Sequence, residues 1–249
     1  MPQPAKISII TVCYNAVNTI ERCICSVISQ QHPNIEYIIV DGGSTDGTLD
    51  VLSKYKNHIS ILISEPDKGI YDAMNKGIQL SSGEILGVLN ADDFFASGKI
   101  LTVVHEAFFN HPAYIVYGDL DYVDAAGNTM RKWRSGNYKY GLFNYGWMPP
   151  HPTFYCRREL FEQLGSYSLA YGTAADYELM SRFMHLERNH AYYLPMVMVK
   201  MTTGGVSNKS LGNRIKALVF DLKAMRANNI RLPIMALIFK PLRKLKQFL

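Results

Sequence analysis

The chain lacks the glycine-rich signatures by which many nucleotide-binding proteins announce themselves. A dinucleotide site needs G-x-G-x-x-G after the first strand of an alternating fold, and that turn here reads Cys13-Tyr14-Asn15-Ala16-Val17. No P-loop is present, so NAD and ATP-hydrolysis readings fall away. Cysteine is scarce: the four residues Cys13, Cys23, Cys25 and Cys156 form no C-x-x-C pair and have no histidine at zinc spacing. They read as reduced core residues of a cytosolic protein. No apolar run approaches the roughly 18 residues of a membrane span, and the first one ends at Tyr14-Asn15, so neither a transmembrane helix nor a signal peptide is expected. Internal repeats and low-complexity segments are also missing, and no nucleic-acid partner is expected.

What is present is a 249-residue chain, 48% apolar and 19% charged, long enough for one large core. Its net charge of +5 hides an asymmetry. Residues 209–249 hold ten Lys or Arg against the single acid Asp221, whereas residues 1–208 carry 16 basic and 20 acidic residues. A basic, apolar tail on a mildly acidic body points to an anionic surface.

Ile7–Val12, Tyr37–Val40, Ile59–Ile63 and Ile85–Leu89 are short apolar runs of the kind buried parallel strands show. Between them lie three helical stretches. The first has Asn18 as candidate N-cap and an apolar stripe at Ile20, Cys23, Ile24, Val27 and Ile28. Strands alternating with helices predict an α/β fold, a mainly parallel sheet with right-handed crossovers. Every one of the four strands hands over to polar residues at its carboxyl end, the edge where open α/β sheets bind ligands. The fourth ends at Asn90-Ala91-Asp92-Asp93. Carboxylates there suit a hard divalent cation sharing ligands with phosphate; a polar turn with Asp capping the next helix is the plainer alternative. Beyond, a helix near 99–110, a hairpin turning at Ala126-Gly127-Asn128, an ordered aromatic loop over 134–152, a helix near 174–186 and a strand near 191–199 are expected.

These stretches resemble the GT-A nucleotide-sugar glycosyltransferases of family 2, over nearly all of residues 6–208. The resemblance rests on Ser8–Asn15, Val40–Thr48, Glu65–Gly77 and Leu89–Asp93, then His151–Phe154, Ala175–Leu179 and Gly204-Gly205-Val206-Ser207. The stretch Glu65–Gly77 looks most like bacterial transferases that build capsules, colanic acid or O-antigen. The resemblance implies a GT-A (Rossmann-like nucleotide-binding) catalytic domain over 1–208, with a nucleotide-sugar half to about 98 and an acceptor half over 99–208, followed by a helical tail.

It further implies a hexosyltransferase that is inverting and metal-dependent. Thr11, Tyr14 and Asp41 would hold the nucleobase, and Asp67, Asn75 and Lys76 would lie near ribose and diphosphate. Asn90 stands where the family's D-x-D motif has its first Asp, leaving Asp92 as metal ligand for Mg²⁺ or Mn²⁺ and Asp93 beside it on the nucleotide-sugar side. Asp176 matches the catalytic base, although Thr173-x-x-Asp176 also fits a capping box. Glu178 is its nearest competitor, and His151 matches a substrate-side histidine. Expected partners are a nucleotide-sugar donor (UDP-sugar favoured), a glycan or polyprenyl-diphosphate-linked acceptor, and an anionic membrane surface met by the tail at the inner face of the plasma membrane; a tail that packs on the catalytic domain or pairs two subunits is the alternative. A sugar nucleotidyltransferase would need a Gly-rich, Arg-containing N-terminal loop that is missing. A non-catalytic nucleotide-binding partner of another transferase would have little need of Asp92, Asp93 and Asp176.

Overall fold

A computed structural model describes residues 4–202, 211–245 and 247. The Gly204–Ser207 stretch and the tail residues Lys246 and Leu249 lie outside the described residues. Strand β1 (Ile7–Cys13) is buried along its whole length. It pairs in parallel with β2 (Ile35–Asp41) on one side and β4 (Ile85–Val88) on the other, and β3 (Ile61–Ser64) pairs in parallel with β2. The register sets Cys13 beside Asp41 and Asp41 beside Ser64, so the polar ends of three strands meet at one edge.

Alternation along β1 divides the core, because successive side chains point to opposite faces. Ile7, Ile9 and Cys13 pack with α1 (Ile20–Ile28), α2 (Thr48–Lys54) and α4 (Ile100–Asn110). Ile10 and Val12 pack with α3 (Ile70–Leu80) on the other side. At that contact Gly77 fits where a Cβ would lie 2.4 Å from the Ile10 Cγ2. A glycine is needed there for close helix–strand packing, not for its backbone freedom.

The second half adds β5 (Asp93–Phe95), β6 (Ile115–Val123), β7 (Thr129–Trp133), β8 (Tyr155–Arg157) and β9 (Ala191–Thr202). The sheet order is β3-β2-β1-β4-β8-β6-β9-β5, with β7 hairpinned onto β6. The parallel expectation holds for the first four strands. Among the described residues the eight pairings divide evenly, since β4–β8, β6–β8, β6–β7 and β5–β9 are antiparallel and β6–β9 is parallel. Helices α5 (Arg158–Leu164) and α6 (Ala175–Ser181, running on as a π turn to Leu186) carry the chain to β9.

The tail forms α7 (Leu211–Ala227) and α8 (Pro233–Leu245), α8 continuing through Pro241. It is built into the domain: Ala224, Met225, Ile230 and Ala236 are buried in the core that holds Phe143, Trp147 and Tyr177. Among the described residues no helix is long and apolar enough to cross a membrane.

Two local expectations are corrected. The cap of α1 is not Asn18 but Thr19, which makes no side-chain capping bond and donates its hydroxyl to the Ala16 carbonyl. Cys25 is exposed on the outer face of α1, while Cys13, Cys23 and Cys156 are buried and all four thiols are free.

Candidate active site

Beyond Val88 the chain turns through Leu89–Asp92 and enters β5. The Asp93 amide donates to the Asn90 carbonyl at 3.0 Å, and the Thr202 hydroxyl donates to the Asp92 carbonyl at 2.9 Å, tying the turn to the end of β9. Asp93 is buried beneath it. Asn90 Nδ2 donates to Asp93 Oδ2 at 3.3 Å, while Asn90 Oδ1 and Asp93 Oδ1 are buried with no hydrogen-bond partner. Burial, then the charge of Asp92, pushes the Asp93 carboxyl well above its ordinary range. Asp93 was expected on the donor side; here it can act only from beneath the turn, through Asn90 and whatever cation the turn holds. Asp92 is half-buried.

The orphaned Asn90 Oδ1 and Asp93 Oδ1, with the Asp92 carboxyl beside them, make a hard oxygen donor set that fits Mg²⁺ or Mn²⁺. Among the described residues no group of three His, Cys, Asp or Glu could hold a metal unaided. A cation here would therefore draw its remaining ligands from phosphate oxygens and water.

A cleft of about 190 Å³ lies against this turn and brings together Asn90, His151 and Asp176, with Tyr71 and Met74 of α3 in its wall. Asp176 is the second residue of α6, half-buried, its Oδ1 accepting the Tyr177 amide at 2.7 Å. The expected capping box is absent: the preceding 3-10 turn breaks at Gly172, and Ala174 occupies the cap position without a side-chain bond. His151 Nε2 lies 2.6 Å from the Tyr167 hydroxyl. Burial holds the imidazole below its usual range, with Asp176 opposing, and burial followed by nearby charge pushes the Tyr167 and Tyr71 hydroxyls up. Neutral hydrogen-bonding groups therefore surround the Asp176 carboxyl.

The loops at the ends of β1 and β2 interlock. Asn15, held at φ 49°, donates its amide to the Ser44 hydroxyl at 2.8 Å and accepts the Thr45 amide at 3.0 Å. Asp41 is the hub. Its carboxylate accepts the Gly43 and Ser44 amides, the Ser44 and Ser64 hydroxyls and the Cys13 thiol. Burial alone would raise its pKa, but these bonds hold it below the ordinary carboxylate range. With its carboxylate so engaged, Asp41 shapes the loop through an Asx-type turn. Tyr14 is exposed and packs against Gly42, above which Asp67 closes: a Cβ on Gly42 would lie 2.6 Å from Asp67 Oδ2.

Three further expected donor contacts are engaged elsewhere. Thr11 faces α1, its hydroxyl accepting from Tyr37 at 3.2 Å and lying near Cys23, because strand alternation turns it away from the loop edge. Asn75 exchanges both amide groups with the Tyr167 backbone, at 2.8 and 2.9 Å, and so clamps that segment onto α3. Lys76 pairs with Glu65 at 2.7 Å and donates to the Pro66 carbonyl at 3.1 Å, closing the loop that carries Asp67.

Residues 8–171 match the signature described as glycosyl transferase family 2. The chain belongs to that family. A PGL/p-HBAD biosynthesis glycosyltransferase of Mycobacterium bovis is 31% identical over 193 residues, covering 72% of this chain and 73% of that protein. An uncharacterised glycosyltransferase of Mycobacterium tuberculosis is 31% identical over 192 residues, covering 73% and 70%. Among solved structures, Staphylococcus aureus TarS in complex with UDP superposes with a TM-score of 0.69 at 19% identity, covering 88% of this chain; the match spans 65% of that TarS chain. A mannosyltransferase from Pyrobaculum calidifontis in complex with GDP-Man and Mn²⁺ gives 0.67 at 18% identity, covering 96% and 72%. At such identities the structures speak for the GT-A fold alone.

In this glycosyltransferase Glu178 is not on the substrate side. Two residues past Asp176, it lies roughly 200° around the helix, where it is buried and paired with Arg182 at 3.0 Å. Arg182 in turn donates to the carbonyls of Leu164, Gly165 and Ser166, fixing α6 to the end of α5. Two residues are absent from the sequence-based site: Tyr71 lines the cleft, and Tyr167 stands behind its wall residue His151. Tyr71 was within reach, since it lies inside the Glu65–Gly77 stretch; nothing local marks Tyr167. The Glu178→Gln variant should lose about 1–3 kcal/mol of stability in urea unfolding, the cost of leaving Arg182 short of its carboxylate. Turnover per folded molecule should stay within about twofold; a large fall in turnover at unchanged stability would return Glu178 to the substrate side.

Proposed function

We propose that this glycosyltransferase takes its sugar from a nucleoside-diphosphate sugar, UDP-sugar favoured, and passes it with inversion to a hydroxyl of a glycan or polyprenyl-linked acceptor in bacterial surface polysaccharide synthesis. One observation carries the reading: Asn90, the first residue of the 90–93 turn, and Asp176 line a single cleft. The TarS complexes with UDP and UDP-GlcNAc support a uridine donor, and the mannosyltransferase complex with GDP-Man and Mn²⁺ supports use of a divalent cation.

Tyr14, above the Asp41-braced loop, offers an exposed ring for the base. Asp92 with Asn90 would hold Mg²⁺ or Mn²⁺, which when bound supplies positive charge to the departing diphosphate. Asp176 takes the proton of the acceptor hydroxyl as that oxygen bonds to the anomeric carbon. The bond from that carbon to the β-phosphate oxygen breaks, and its electron pair leaves with the nucleoside diphosphate. His151 and Tyr167, both neutral, orient hydroxyls without competing for the proton.

Asp176→Asn should lower turnover by roughly 10²–10⁴-fold with donor affinity nearly unchanged, and Asp92→Asn should weaken UDP binding in Mn²⁺ while wild-type turnover stops in EDTA. Thermal shift and donor turnover read both. Full activity of Asp176→Asn, or wild-type turnover that survives EDTA, would refute the mechanism.

The same proposal sets the enzyme on the inner face of the plasma membrane. Helix α8 buries Ala236 against the domain and turns outward Ile234 (67% exposed), Ile238 (56%), Leu242 (48%) and Leu245 (63%), one face of a helix. Ile215, Leu218 and Val219 of α7 are exposed as well, as are Lys216, Lys223 and Arg226 of the same helix and Arg231 after it. An apolar stripe rimmed by cations suits the headgroup region of anionic lipid. Since α8 also completes the core, the test is substitution rather than truncation. Ile234→Glu/Ile238→Glu/Leu242→Glu should keep the melting temperature within a few degrees and abolish flotation with phosphatidylglycerol vesicles. Flotation equal to wild type would contradict membrane docking through α8.

A further inference from the structure

A second, larger cavity of about 420 Å³ lies between β7, the aromatic loop and α8. Five cations line it: Lys132, Arg134, Lys240, Arg243 and Lys244. Arg134 is matched by Asp121 at 2.7 Å and Lys240 by Asp221 at 2.7 Å. Among the described residues Lys132, Arg243 and Lys244 have no carboxylate partner. The Tyr145 carbonyl accepts from Arg243 Nε at 2.9 Å, which fixes the guanidinium and leaves its outer nitrogens available. Burial, then the charges of Lys240 and Arg131, pulls the Lys244 ammonium below its usual range, with Asp221 and Asp176 opposing. A recess with surplus positive charge is stabilised when an anion enters it.

The recess borders the catalytic cleft. Trp133 and Met148 line both cavities. Lys240 Nζ lies 4.4 Å from the centre of the Tyr177 ring, the residue after Asp176. The donor's phosphates belong at the Asn90–Asp93 turn, within the cleft, so an anion in the recess comes from another molecule.

We propose that this recess is a subsite for the phosphate or diphosphate of the acceptor. Resting on the transferase reading above, the acceptor is then a glycosyl phosphate or diphosphate: its hydroxyl lies over Asp176 while its anomeric phosphate, one sugar ring away, sits among Lys132, Arg243 and Lys244. Charge-assisted bonds from Lys and Arg are the strong contacts such a group seeks. The apolar chain of a lipid-linked acceptor would leave along the exposed face of α8, which lines the recess from its other side.

The chain has two tryptophans, Trp133 and Trp147, and both line the recess. Intrinsic tryptophan emission therefore reports on it, Trp147 from the recess alone and Trp133 from the recess and the cleft together. Full-length protein titrated with geranyl diphosphate at fixed ionic strength should show a saturable emission change, competed by inorganic pyrophosphate and not produced by geraniol. Lys132→Gln/Lys244→Gln should weaken that binding by at least about tenfold, with the affinity for UDP in Mn²⁺ unchanged. Each single variant should fall between, and they carry the test if the pair misfolds.

No saturable change, equal affinity in the double variant, or displacement of geranyl diphosphate by UDP with Mn²⁺ would overturn the proposal. If phosphatidylglycerol vesicles give the same emission change and the double variant loses it, the phosphate is a membrane headgroup and the acceptor assignment falls. Failure of UDP with Mn²⁺ to bind while geranyl diphosphate still does would contradict the proposed function and leave the subsite standing.

Discussion

Strand β1 admits water at neither face. Seven consecutive residues are buried, with parallel partners on both edges and helices above and below. A strand so enclosed cannot carry a functional polar group along its length, because an unpaired buried one costs several times what a satisfied one contributes. Chemistry is forced to the carboxyl edge, where β1, β2 and β4 all end and the loops are free of the ladder. That edge holds the Asp41-braced loop and the Asn90–Asp93 turn.

The second half of the chain converts this edge into a cleft. Strand β5 pairs with β9 immediately after Asp93, so the turn is fixed from both sides and its orphaned oxygens cannot relax toward water. The Glu178–Arg182 pair holds α6 so that Asp176 faces Asn90, and Asn75 ties the Tyr167 segment to α3. Rigid placement of a carboxylate across a cleft from an oxygen-rich turn is what the proposed in-line transfer requires. The tail helices are part of this arrangement. Their buried residues share the core with Phe143 and Tyr177, and Lys240, Arg243 and Lys244 of α8 face the neighbouring recess.

The order and placement of the elements in the first half could be read from apolar runs and turn chemistry, as could the edge on which function collects. Side-chain direction could not. Because β1 is apolar on both faces, no polar alternation reveals which side Thr11 takes, and it faces α1. Nor could the partners of Asp41 and Asn75 be read, since donors distant in sequence claim their oxygens: Ser64 for one, the Tyr167 amide for the other. The helical period does separate Asp176 from Glu178, once the helix start is known. The recess beside Trp133 was illegible, since it joins residues such as Lys132 and Arg243 that only tertiary packing brings together.

The central claim is that the leaving diphosphate sits on the Asn90–Asp93 turn, across the cleft from Asp176. Anomalous diffraction from crystals grown with UDP and Mn²⁺ tests it most directly. The account predicts one manganese peak bonded to the Asp92 carboxylate and to diphosphate oxygens at about 2.0–2.2 Å, on the side of the cleft facing Asp176. A diphosphate bound away from residues 90–93, or manganese held elsewhere with UDP in place, would contradict it.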